Sequence, residues 1–86
     1  MFNANAAARR RELGDFVRAQ RERVSPASVG LAGAVRRRTP GLRREEVAQF
    51  AGLSPTWYTW IEQGRTSAIS VATLGALARG LRLSQA

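Results

Sequence analysis

Fourteen arginines are the side chains in this sequence best equipped for chemistry, and no lysine or histidine accompanies them. A guanidinium is a planar fork that grips phosphates and guanine edges bidentately, where lysine offers only a point charge. Against six carboxylates they leave a net charge of +8 on 86 residues, a balance that favours an anionic partner. GC-rich codon usage would also favour Arg over Lys, but it does not account for the excess of bases over acids. The charge is lopsided as well. Residues 1–44 carry eleven Arg against Glu12, Asp15 and Glu22, whereas residues 45–86 carry three against Glu45, Glu46 and Glu62. A basic docking surface attached to a neutral packed core is the expected arrangement.

Other chemistries have little to stand on. Ser54, Ser67, Ser70 and the carboxylates have no His, Lys or Cys to activate a nucleophile, which argues against an enzyme. Without Cys and His the thiolate and imidazole metal ligands are missing, so neither a metal nor another cofactor is expected. No apolar run approaches the roughly 20 residues needed to span a bilayer, and the N-terminus lacks a signal-peptide core. A cytoplasmic protein with no membrane partner is expected, and a chain of this length forms one domain, residues 1–86.

The elements that must position the arginines follow from periodicity and caps. Leu13, Phe16, Val17 and Val24, with Gln20 breaking the stripe, predict an amphipathic helix over about residues 9–24 that stops at Ser25-Pro26. Residues 25–41 mix Ser, Pro, Gly and the run Arg36, Arg37, Arg38 without a sustained period and read as a long Arg-rich insertion. A second helix follows, with Glu45 and Glu46 at its positive end, a Leu42 to Val47 staple around Arg43, and Gly52 as its stop. Ser54-Pro55 opens a third helix over 55–63 closed by Gly64, and Ser70 caps a fourth on which Leu74, Leu77, Ala78 and Leu81 share a face. No strand pattern competes, so the fold class is all-α with four to five short helices.

Helix, short Gly-containing turn, helix is the arrangement that sets a second helix at a steep angle, ready for a DNA major groove, and residues 42–64 fit it. At 100° per residue Tyr58 and Ile61 fall on one side of the third helix, Thr56, Trp60 and Gln63 on the other, with Trp57 and Thr59 flanking. On spacing alone an ordinary helical hairpin stays open.

The residues narrow this further. LRREEVAQFAGLSPTWYTWIEQGR resembles the helix-turn-helix core of the lambda-repressor-like, Cro/XRE family of bacterial DNA-binding domains. RRRTPGLRREEVA together with WYTWIEQGR resembles the N-terminal domain of MmyB-like transcription regulators, over about residues 12–86. The resemblance implies a lambda repressor-like fold that binds double-stranded DNA sequence-specifically as the N-terminal domain of a bacterial transcription regulator. Carried over position by position, it implies that Pro55, Thr56, Trp57, Thr59 and Trp60 face base edges. Arg43 and Arg44 would meet phosphate at the start of the second helix, and Gln63 and Arg65 would meet backbone after the third. Arg36, Arg37 and Arg38, just ahead of the motif in the basic half, join the expected phosphate contacts. Glu62 corresponds to a family glutamate that pairs with an arginine of the first helix, here Arg21, so this pair is expected to be structural. Two positions depart from the pattern. Arg43 stands where a Thr or Ser cap is common, and Trp60 where Arg or Gln is common, which favours an apolar contact over a hydrogen-bonded one.

MmyB-like regulators continue into a larger sensor domain, so the chain reads as a fragment of a longer regulator. A small-molecule effector would act only through that further domain. Two copies on neighbouring half-sites, a homodimer on DNA, are expected of so small a module. The rival reading is a protein-interaction or antitoxin-type module on the same fold. RNA binding is weaker, because RNA-binding signatures are absent.

Overall fold

The computed structural model describes residues 4–30, 41–66 and 69–82. The described residues form four α-helices, α1 (Ala4–Arg23), α2 (Arg44–Ala51), α3 (Pro55–Glu62) and α4 (Val71–Gly80), with a 3-10 turn at Pro26–Val29 after α1, and no strand occurs among them. The chain is all-α. Helix α3 packs on both α1 and α2, while α4 packs on α2. Val17, Val24, Leu42, Val47, Ala48, Tyr58, Ile61, Leu77 and Leu81 form the core between them.

Helix α1 begins at Ala4, earlier than the expected start near residue 9. Ala6, Ala7 and Ala8 extend it through intrinsic propensity, with no apolar stripe required. Its buried face also differs from the expected one, because Phe16 is 52% exposed. Gly14, Val17, Arg21 and Val24 face inward instead, with Leu13 partly buried against the core. The cause is the close approach of α3. A Cβ on Gly14 would overlap the Glu62 carbonyl oxygen, so the glycine marks the contact line and turns Phe16 away from it.

The 25–41 insertion is described at its two ends. After the 3-10 turn and Gly30, the chain re-emerges at Gly41-Leu42, where the Leu42 N–H donates to the Arg21 carbonyl at 3.1 Å. Gly41 lies so close to Glu22 that a Cβ there would overlap its backbone. This stitch sets the start of α2 against the end of α1. Arg36, Arg37 and Arg38 lie outside the described residues.

In α4 the expected face is rotated. Leu77 and Leu81 are buried, but Leu74 is 41% exposed, and Ala76 and Gly80 complete the buried side. Backbone proximity explains it, since a Cβ on Gly80 would sit within 3.3 Å of Ala51 and of the Val47 carbonyl. Small residues let α2 and α4 approach, and the larger Leu74 is left at the rim.

Candidate nucleic-acid interface

The helix-turn-helix is fixed at each of its corners by local chemistry. Leu42 and Val47, the residue before the α2 N-cap and the fourth helical residue, are both fully buried and staple the entry. Arg43 at the N-cap has no acceptor on its side chain to offer. Glu46 contributes the other half of a capping arrangement, its Oε1 accepting the Arg43 backbone N–H at 2.7 Å. At the far end Gly52 adopts φ 71°. Its N–H donates to the Gln49 carbonyl at 3.2 Å and that of Leu53 to the Ala48 carbonyl at 2.8 Å. This is a Schellman closure, with Leu53 folded back on the core.

Ser54 then caps α3, its hydroxyl accepting the Trp57 N–H at 3.0 Å, with Pro55 in the first helical position. A second Schellman closure ends it. Gly64 at φ 69° donates to the Ile61 carbonyl at 3.1 Å, and the Arg65 N–H donates to the Trp60 carbonyl at 2.8 Å. An eight-residue helix too short to be stable alone is thereby held at both ends.

The inner side of α3 is fully engaged. Tyr58 and Ile61 are buried in the core, and Glu62 is 6% exposed. Arg21 donates to both Glu62 carboxylate oxygens, Nε to Oε2 and NH2 to Oε1, each at 2.9 Å. Its NH1 donates to the Leu42 carbonyl at 2.9 Å. The Tyr58 hydroxyl donates to Glu62 Oε2 at 2.6 Å, and Arg44 Nε to Glu62 Oε1 at 3.0 Å. Burial alone would raise the Glu62 pKa, but the hydrogen bonds from Arg21, Tyr58 and Arg44 outweigh it and hold the carboxyl below its ordinary range. Burial, followed by the bond to Glu62, pushes the Tyr58 phenol up. For Arg21 desolvation works against the charge, and the contact with Glu62 more than compensates. Four groups from α1, α2 and α3 thus satisfy one another around a single carboxylate.

The outer side is different. Pro55, Thr56, Thr59, Trp60, Gln63 and Arg65 line a shallow, open concavity. The Trp57 and Trp60 rings meet edge to face at a centroid separation of 6.3 Å and an interplanar angle of 67°. Trp57 is half-buried against the core, whereas Trp60 is 41% exposed. The Arg65 guanidinium lies over the Trp60 ring at 5.9 Å from its centroid and donates from NH1 to Gln63 Oε1 at 3.4 Å.

The structure therefore brings Pro55, Thr56, Thr59, Trp60, Gln63 and Arg65 to one surface, and it draws Trp57 partly beneath it. Arg43 and Arg44 stand at the mouth of α2, both exposed, with Arg44 shared between solvent and Glu62. A second concavity, lined by Arg11, Asp15, Arg18, Arg44, Glu62 and Gln63, adjoins the first through Gln63. Arg11 and Arg18 were not among the expected site residues. Their seven-residue spacing puts them on one face of α1, but only the packing of α1 beside α2 and α3 turns that face toward Arg44. Among the described residues no cluster of His, Cys, Asp or Glu could hold a metal.

The sequence profile of the Helix-turn-helix domain family matches residues 12–86. The chain belongs to that family, and membership suggests DNA binding. No curated protein and no solved structure gave a match. No helix among the described residues is long and apolar enough to cross a membrane.

Proposed function

We propose that this domain binds double-stranded DNA sequence-specifically, with α3 in the major groove, and that it serves a bacterial transcription regulator of the MmyB-like kind. The observation that carries the reading is the two-sidedness of α3. One face is locked into the core through Tyr58, Ile61 and Glu62, while the other presents Thr56, Thr59, Trp60 and Gln63 on an open surface. A helix held at both ends with an unobstructed outer face is what major-groove docking requires.

In this reading Pro55, Thr56, Thr59 and Trp60 face base edges. Arg43, Arg44, Gln63 and Arg65 flank them and hold phosphates, with Arg36, Arg37 and Arg38 contributing from the insertion. Two copies bind half-sites roughly 34–36 Å apart, one helical turn of DNA. No catalytic step is involved.

Selection of the chain on randomised duplex DNA, followed by binding measurements across a salt series, tests the proposal. One enriched motif is expected. Neutralising about four to seven phosphates gives a log–log salt slope of about −4 to −6. Arg44→Ala weakens selected and random duplexes alike and makes the slope shallower by about one. Salt-sensitive binding with no enrichment refutes specificity, and the absence of binding leaves a protein-interaction module as the better reading.

A further inference from the structure

The first two turns of α3 hold no side chain able to make the bidentate hydrogen bonds by which proteins commonly read guanine or adenine. Pro55 has no donor, Thr56 and Thr59 carry a single hydroxyl beside a methyl, and Gln63 lies only at the far end. What the surface offers is carbon, arranged around one large ring. That ring is held in place. Trp57, anchored in the core, supports Trp60 edge to face, and the Arg65 guanidinium covers it from the other end of the helix. Arg65 is itself set by the Schellman closure at Gly64 and by its contact with Gln63.

A half-exposed indole combines an apolar ring with one N–H donor. In the major groove thymine presents a C5-methyl group beside the O4 acceptor. It is the base edge whose chemistry pairs with such a ring. Cytosine lacks both features, and 5-methylcytosine regains only the methyl.

Resting on the reading of α3 as the recognition helix, we infer that Trp60 is a specificity-determining residue that reads the C5-methyl group of a pyrimidine, and that Trp57 is a positioning residue that holds the indole for it. A consequence is that cytosine methylation at that base pair strengthens binding.

The experiment runs selections with the full chain on duplex pools containing thymine or, in parallel, uracil. In the motif from the thymine pool, each thymine is then replaced singly by uracil, cytosine or 5-methylcytosine. At one position thymine is expected to exceed uracil, and 5-methylcytosine to exceed cytosine, each by about fourfold, the value of one buried methyl. Both ratios fall to one in Trp60→Ala, an exposed site where the variant keeps its fold. Trp57→Phe, which retains an edge-to-face ring, preserves the ratios. Trp57→Leu shrinks them without changing the salt slope. A motif indifferent to uracil at every thymine overturns methyl reading and leaves specific DNA binding intact. Unchanged ratios in Trp57→Leu remove the positioning role, and a thymine pool that yields no motif defeats the inference together with the function it rests on.

Discussion

The two sides of α3 use similar residue types to opposite ends. On the inner side two arginines, a glutamate and a tyrosine from three helices close a network in which the buried carboxylate is met from three directions. On the outer side an arginine, a glutamine and a tryptophan make looser contacts, 3.4 Å between Arg65 and Gln63 and 5.9 Å from the guanidinium to the ring, and leave polar atoms facing solvent. A buried polar group must be satisfied within the protein or it costs stability, whereas an exposed one can hold its hydrogen-bonding capacity for a ligand. The contrast separates the residues that keep α3 in place from those it presents.

The largest test of this contrast is removal of the shared carboxylate. Glu62→Ala leaves the Arg21 guanidinium buried without its partner, a change that costs about 3–5 kcal/mol in comparable pairs. In a domain this small that is most of the total stability, and a urea titration is expected to find the variant largely unfolded. A loss under about 1 kcal/mol would show that the network is replaceable. The cost is expected to come from the uncompensated charge, so a matched apolar replacement of both partners should cost far less than the single deletion.

Titration probes the same network with no mutation. Because the folded Glu62 pKa is depressed below its ordinary 4.5, its contribution is complete above that pH and is lost as the pH falls through the folded value. Tyr58 behaves in the opposite sense. Its pKa is raised above the ordinary 10.0, so its contribution is complete below that pH and is lost in more alkaline solution. Urea midpoints measured across the acid limb should fall in the wild type and flatten in Glu62→Gln. An identical acid limb in both proteins would assign the loss to other carboxylates.

The smallest stability effect is expected from the outer side. Trp60→Ala should change the unfolding free energy by about 1 kcal/mol or less, the range of an edge-to-face aromatic contact on a surface, while flattening the preference among duplexes. Thermal melts compared with binding to selected and random DNA would read the two properties separately. A large drop in melting temperature would place Trp60 with the structural residues.

Much of this architecture is legible in the sequence because it rests on local chemistry. Ser54-Pro55 and Ser70 announce helix starts, and Gly52 and Gly64 announce the left-handed closures, since each acts within a few residues of itself. The alternation of Tyr58 and Ile61 against Thr56, Trp60 and Gln63 follows from the pitch of a helix. The motif between Leu42 and Arg65 reads as a helix-turn-helix, and the profile match places the chain in a helix-turn-helix domain family. Hydrophobic spacing puts Phe16 and Leu74 with the core, but the structure exposes both, because spacing carries no information on how closely a remote backbone approaches at Gly14 and Gly80. Arg11 and Arg18 carry no such signal in the sequence, since a charged helix face acquires meaning only from what lies beside it.

What the sequence determined by itself was therefore the number and kind of helices after residue 41, their caps, the turn between α2 and α3, and the division of α3 into an inward and an outward face. These depend on interactions between residues close in the chain. The tertiary structure alone decided which stripe of α1 is buried, how α4 rotates against α2, and how Arg44 is shared between solvent and Glu62. Each of those turns on the distance between backbones remote in sequence, set where Gly14 meets the Glu62 carbonyl and Gly80 meets Val47 and Ala51. Helix period fixes a direction around an axis, but only the closest approach of two axes fixes which direction is inward.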